Sequence, residues 1–285
     1  MFAYLLYRFG IAIAVLVPVR IAYKIAVLCA DIKYLVSKRE RHWMLKNLSI
    51  ALPQADKRAI KKLSREIFRN FTKYLADFFR FSKIDAEYIK EHVKVEGLRH
   101  IDAALAKGKG AVILSAHIGN WELGGVTLGI LGYPIHAVAL DHKSRRVNDF
   151  FRSQRERHNE KVFSINFSLR PCLRCLKNNG LLALVGDKDY TNTGIVVDFF
   201  GKKAMIPKGP AFFHLKTGTP IISGVTLRDK DDYFRLVFGA PIEYEATGDF
   251  DRDIARLTEK CVRTIEPIIQ KYPEQWYCFR QIHLE

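Results

Sequence analysis

Cysteine is scarce in this chain, five residues in 285, and that number cannot staple a fold of this length as a disulfide framework. Cys172 and Cys175 make a C-x-x-C pair, but no second pair accompanies it to complete a zinc site, and the spacing after Pro171 reads as two thiols on a helix. Cys29, Cys261 and Cys278 are scattered, as in a reducing compartment. The sequence also lacks H-x-H and HExxH ligand pairs, internal repeats, Ser/Gly linkers and any nucleic-acid recognition motif. With 48% hydrophobic, 27% charged and 12% aromatic residues it is neither disordered nor low in complexity, and collagen, coiled-coil and multi-span membrane classes are excluded.

Acidic residues are missing chiefly at one end. Residues 1–83 hold 17 Lys/Arg against five Asp/Glu, so twelve of the sixteen net positive charges sit in the first third. An end this basic calls for an anionic partner. Its first part, Phe2–Val36, is almost wholly apolar, with Arg8, Arg20, Lys24, Asp31 and Lys33 as exceptions. Its longest uncharged run, Phe9–Val19, is 11 residues, short of the roughly 20 that cross a bilayer. Two membrane arrangements follow: a tilted span over Leu5–Leu28 with snorkelling Arg20 and Lys24, or a helix lying in the interface. A signal peptide does not fit, because basic residues follow the apolar run and no small-residue cleavage site is evident. The expected divisions are a membrane-anchoring segment 1–36, a basic amphipathic helical region 37–92, and an α/β core 93–285. In Lys57–Phe81 the apolar residues Ile60, Leu63, Ile67, Phe71, Leu75 and Phe78 recur at helical spacing. The opposite side of that helix carries Lys57, Lys61, Arg65, Arg69 and Lys73, a surface expected to face phosphates.

Beyond Val93 strand and helix patterns alternate. Ala111–Ala116 and Leu181–Gly186 are short continuous apolar runs of the kind found in strands covered on both faces. Ile135–Leu140, Ile195–Phe200, Pro220–Leu227 and Tyr233–Phe238 read as further strands. Helices are expected over Gly97–Lys107, Gly119–Leu131, Arg145–His158, Lys208–Thr217 and Phe250–Lys271. This order predicts a mixed, mostly parallel sheet with helices on both faces.

Ligands of such sheets gather beyond the carboxyl ends of the strands. The first strong strand runs into His117-Ile-Gly-Asn-Trp-Glu122. On a regular helix these two side chains would diverge by about 140°. With His117 in the strand-to-helix turn and Glu122 in the helix's first turns, the carboxylate is expected to orient the imidazole as a general base. The second apolar strand ends in Gly186-Asp187-Lys188-Asp189-Tyr190, placing two acids at another strand terminus. An alternative use of His117, Glu122, Asp187, Asp189 and His142 is as metal ligands of a hydrolase.

Taken in order, these elements resemble the bacterial lipid A biosynthesis (lauroyl/myristoyl) acyltransferases of the lysophospholipid acyltransferase superfamily. The resemblance runs from the hydrophobic N-terminus through Asn47-Leu48…Leu52-Pro53, His117–Glu122, the helix with Arg155, and Asp187–Tyr190. It continues through Phe199-Phe200-Gly201, Lys208–Ala211 and Thr217–Pro220 to Pro273–Trp276 and Arg280. Thr191-Asn192 departs from the pattern, standing where many members have glycine. So does Cys278-Phe279, where an aromatic and a histidine are common. The resemblance implies transfer of a fatty acyl group from an acyl carrier protein or coenzyme A thioester to a hydroxyl of a lipid A-type glycolipid. Phosphatidylinositol mannosides, aminolipids and lysophospholipids are the alternative acceptors. It implies His117 as base with Glu122 as partner, and Arg155, Asp187 and Asp189 as substrate-binding residues. Arg157, suited to phosphate, Trp121, suited to an acyl slot, and Asn120 beside it are further substrate-binding candidates. No metal or other cofactor is implied. The expected location is the bacterial inner membrane, with the core on the cytoplasmic side and anionic lipid as a partner.

Overall fold

The computed structural model describes residues 2–142, 144–165 and 169–284, with side chains from Tyr7 onward. Pro18 divides the apolar N-terminus into α1 (Phe2–Leu16) and α2 (Val19–Val36). The stretch Leu5–Leu28 is therefore not one continuous helix but is interrupted at Pro18, because proline has no N–H for the helical ladder. No helix among the described residues is long and apolar enough to cross a membrane. Helices α3 (Lys38–Ala51) and α4 (Lys57–Phe79) follow. α4 is capped by Asp56, whose side chain accepts from the Ala59 N–H at 2.7 Å.

Helix α2 uses two apolar faces. Ala22, Tyr23, Ala26, Ala30 and Tyr34 are buried, largely against α4. Ile21, Ile25, Leu28, Ile32 and Leu35, at the same helical spacing on the other side, are exposed, Leu28 by 63% and Leu35 by 71%. The basic side of α4 is only in part what the sequence suggested. Arg65 and Arg69 both clamp Asp31 of α2, at 2.9 and 2.8 Å, and Lys73 pairs with Asp232 at 2.9 Å. Three of the five expected phosphate-facing cations are thus engaged in ion pairs, two with α2 and one with a loop in the C-terminal half of the chain.

A short α5 (Ala86–His92) leads into the sheet. Strands β1 (Val93–Glu96), β2 (Ala111–Ser115), β3 (Ile135–Ala139), β4 (Lys161–Ser164) and β5 (Leu181–Val185) alternate with helices α6 (Leu98–Ala106), α7 (Trp121–Ile130), α8 (Arg145–Glu156) and α9 (Leu169–Lys177). An antiparallel ribbon, β6 (Ile195–Phe199) and β7 (Lys202–Ile206), precedes α10 (Gly209–Thr217), β8 (Ile221–Arg228), β9 (Phe234–Pro241) and α11 (Phe250–Lys271). The seven-stranded sheet has the order β1-β9-β8-β2-β5-β3-β4 and is parallel except at β8/β9. The run Ile195–Phe200 forms a strand as expected, but in the separate ribbon. Alternate residues of β2 feed two cores: Val112 and Leu114 meet α9, α10 and α11, whereas Ile113 faces the side of α6, α7 and α8. α4 contributes to both, through Ile67 and Phe68 on one side and Phe78 on the other.

Candidate active site

Strands β2 and β5 pair in parallel with Ser115 opposite Val185. Two residues beyond that last pair, each chain presents a polar side chain, His117 from one and Asp187 from the other. The equal offset from paired strand ends makes them neighbours. His117 Nδ1–H donates to Asp187 Oδ1 at 2.8 Å, and the His117 backbone N–H donates to the same oxygen at 3.1 Å. The other oxygen, Oδ2, accepts from Trp276 Nε1–H at 3.0 Å. An ionised carboxylate only accepts, so Nδ1 must carry the proton and Nε2 is left as the basic nitrogen. Burial opposes ionisation of Asp187. The His117 ring and amide and the Trp276 indole outweigh it and hold the carboxyl below the usual range.

The turn carrying His117 is clamped from two sides. Gly119 N–H donates to Gln275 O and Asn120 N–H to Thr226 O, while Tyr277 N–H donates to His117 O. Gly119 lies at φ +60°, and a Cβ there would come within 2.0 Å of Thr226 O, so no side chain fits. The Pro273–Trp276 element is thus a wall of this site. It is itself held by Asn47 of α3, whose Nδ2 donates to the Cys278 and Arg280 carbonyls at 3.0 and 2.7 Å.

Glu122 does not orient His117. Its two oxygens receive Arg155 Nε–H at 2.6 Å and Arg155 Nη2–H at 2.5 Å, a bidentate pair with both side chains nearly buried. The physical reason is phase: α7 begins at Trp121, and the second residue of the helix turns toward α8 while His117 stays in the preceding turn. The carboxylate on the histidine is Asp187, from 70 residues away.

Asn120 caps α7, its Oδ1 accepting from Leu123 N–H at 3.0 Å, and its Nδ2 donates to Asp77 at 2.9 Å. Asp77 also accepts from Tyr23 and from Arg228, so Asn120 belongs to a buried polar network linking α2, α4, α7 and β8. Trp121 stacks on Tyr74 at 4.5 Å and meets the His117 ring edge-on at 5.4 Å. Asp189 closes its own loop: Oδ1 accepts from Thr191 N–H and Oγ–H at 3.0 and 2.7 Å, and Oδ2 from Gly194 N–H at 3.0 Å. Within that loop Asn192 adopts φ +59°, a conformation asparagine tolerates and glycine takes freely. Arg157 is exposed and does not line the cavity beside His117.

That cavity has a volume of about 850 Å³. It opens where β2 and β5 end, bordered by His117, Trp121, Lys188 and Tyr190, and reaches the space between α7 and the sheet. Gly124, Gly125 and Leu128 of α7 face Ile113, Ala137 and Phe238 there. Burial draws the Lys188 ammonium down to about 8. Neither Lys188 nor the inward-reaching Glu160 was singled out by the sequence. Both become visible only when separate strand ends are brought together. Among the described residues no group of three or more His, Cys, Asp or Glu side chains gathers to hold a metal ion, so the alternative ligand set is not assembled.

Fold and site together describe a parallel α/β protein with a carboxylate-held histidine at the strand ends, beside a largely apolar cavity. Residues 1–284 match the bacterial lipid A biosynthesis acyltransferase family, and the chain belongs to it. It is similar to a phosphatidylinositol mannoside acyltransferase of Mycobacterium tuberculosis (strain ATCC 25618 / H37Rv), 27% identical over 215 residues, which is 73% of this chain and 66% of that protein. A protein of the same description from Mycolicibacterium smegmatis is 26% identical over 75% of this chain and 70% of its own length. A lipid A biosynthesis acyltransferase of Haemophilus influenzae is 21% identical over 60% of this chain and 54% of its own. The matched part spans just under two thirds of the M. tuberculosis relative.

Proposed function

We propose that this protein transfers a fatty acyl group from an acyl thioester to a hydroxyl of a membrane glycolipid or related lipid. The observation that carries this reading is the Asp187-held imidazole at the mouth of an apolar-walled cavity. A thioester is already activated, so the reaction needs a base for the acceptor hydroxyl and a place for the acyl chain. His117 Nε2 takes the hydroxyl proton as the oxygen attacks the thioester carbonyl. Asp187 stabilises the imidazolium that forms, and the leaving thiolate takes that proton. The space under α7 takes the hydrocarbon. Lys208, exposed among the residues that line the cavity, suits the phosphates of an acidic carrier or acceptor. The family and its relatives favour a lipid acceptor of the lipid A or phosphatidylinositol mannoside kind. Mass spectrometry of total lipids from cells with and without the gene is expected to show one lipid class short of a single acyl chain in its absence. Unchanged lipids would overturn the reading.

The same proposal places the protein on a bilayer surface, on the cytoplasmic side of the inner membrane. Ile21, Ile25, Leu28, Ile32 and Leu35 form a continuous exposed apolar stripe on α2, flanked by Arg20 and Lys24. In co-sedimentation with vesicles containing anionic phospholipid, the full chain is expected to pellet. Leu28→Glu with Ile32→Glu is expected to leave most of it in the supernatant, with the thermal midpoint unchanged because both positions are exposed. Equal sedimentation of the double variant would remove the stripe from membrane binding.

A further inference from the structure

One wall of the cavity carries a group that the reaction just described does not use. Glu160, immediately before β4, is 3% exposed, and its Oε2 has no hydrogen-bond partner. Its side chain reaches α7 at Gly125, where an added Cβ would lie 2.6 Å from Oε1 and 2.8 Å from Oε2. Only a glycine in that turn leaves room for the carboxyl. Gly125 is three residues past Glu122 on α7, and the Glu160 carboxyl lies close enough to the Glu122–Arg155 pair to feel both charges. The same cavity is lined by the apolar Leu128, Ile135, Ala137 and Phe151 as well as by the Glu122–Arg155 pair, whose hydrogen bonds are spent on each other. A hydrocarbon chain filling this space would pass a buried carboxyl and give it nothing to bond. Leaving a buried polar group unmatched costs free energy that an oxygen on the ligand would recover.

We propose that Glu160 is a specificity residue that recognises a hydroxyl borne on the acyl chain, so that the cavity prefers hydroxyacyl groups to plain ones. This rests on the acyl-transfer reading above. A carboxyl is suited to the task in either protonation state, because a chain hydroxyl both donates and accepts. Burial, reinforced by the negative charge of Glu122 and opposed by Arg155, pushes Glu160 well above the usual carboxyl range, which favours the uncharged form that can donate as well. A neutral acid also sits beside apolar chain at far less cost than a carboxylate.

The test uses a fluorescent fatty acid bound to the full-length protein and displaced by tetradecanoic, 2-hydroxytetradecanoic or 3-hydroxytetradecanoic acid. At least one hydroxy acid is expected to compete roughly three- to tenfold better than the plain acid, the range of one net neutral hydrogen bond. Glu160→Leu is expected to abolish that preference and to bind plain tetradecanoic acid at least as well as the wild type. Glu160→Gln, which still donates and accepts, is expected to keep most of it. A thermal midpoint for Glu160→Leu no lower than wild type shows that the loss is not unfolding. Equal competition by all three acids in the wild type, or a preference that survives in Glu160→Leu, overturns the assignment of Glu160. Failure of all three acids to displace the probe overturns the acyl cavity itself and this assignment with it.

Discussion

Asp187→Asn is expected to lower the turnover of acyl transfer by roughly 10³–10⁴-fold while leaving the substrate KM within a few-fold of wild type. The neutral amide presents an N–H where the carboxylate presented a lone pair. Where that N–H faces the ring, His117 is driven to accept at Nδ1 and carry its proton on Nε2, the nitrogen that must be free to act as base; where it faces Trp276, the indole N–H loses its acceptor. The carboxylate also stabilises the imidazolium, and that contribution vanishes with the charge. His117→Ala is expected to fall to the same floor, and combining the two to cost little more, because they act as one unit. Steady-state kinetics on the three variants would show this. A tenfold or smaller effect of Asp187→Asn would mean that the histidine is not held through that contact. The Trp276 indole supports the arrangement from the other side, and Trp276→Phe is expected to give an intermediate loss.

Those residues show where sequence suffices and where it does not. The apolar runs of β2 and β5 announce buried parallel strands, because a strand covered on both faces has no polar side to display. β1 (VKVE) and β7 (KKAMI) are short, lie near an edge or in a ribbon, and carry lysines, so nothing in their composition separates them from loop. Site geometry is less legible still. The five-residue spacing of His117 and Glu122 invites a pairing, but the true partner arrives through strand order and register, both non-local. A signal was nonetheless present: two apolar strands each followed by a small residue and then a polar one, Ala116-His117 and Gly186-Asp187. Parallel strands of equal reach bring such residues together. The C-terminal tryptophan could not be placed by any such rule. Its position follows from Asn47 gripping the Cys278 and Arg280 carbonyls across the body of the protein.

Glu122→Gln separates the observed geometry from the one the spacing first suggests. In the structure Glu122 balances Arg155, with side chains only 7% and 11% exposed. Neutralising the acid leaves a buried guanidinium without its hydrogen-bonded counter-charge and with only the Glu160 carboxyl near enough to offset part of the loss, a change that costs up to about 3–5 kcal/mol. For a chain of this length that corresponds to a fall in thermal midpoint on the order of 10 °C. Arg155 itself cannot shed its proton to escape, because a guanidinium stays protonated even where burial disfavours the charge. Replacing both partners, as Glu122→Leu with Arg155→Met, is expected to recover most of the midpoint, because no lone charge remains and apolar side chains fill similar volume. Transfer activity is not expected to return with it, since Arg155 also lines the cavity next to the reacting groups. Calorimetry and kinetics on the same three proteins decide the matter. If Glu122→Gln kept the wild-type midpoint yet lost turnover as Asp187→Asn does, with a matching change in the pH profile, the carboxylate would be serving the histidine after all. The role given to Asp187 would then have to be shared.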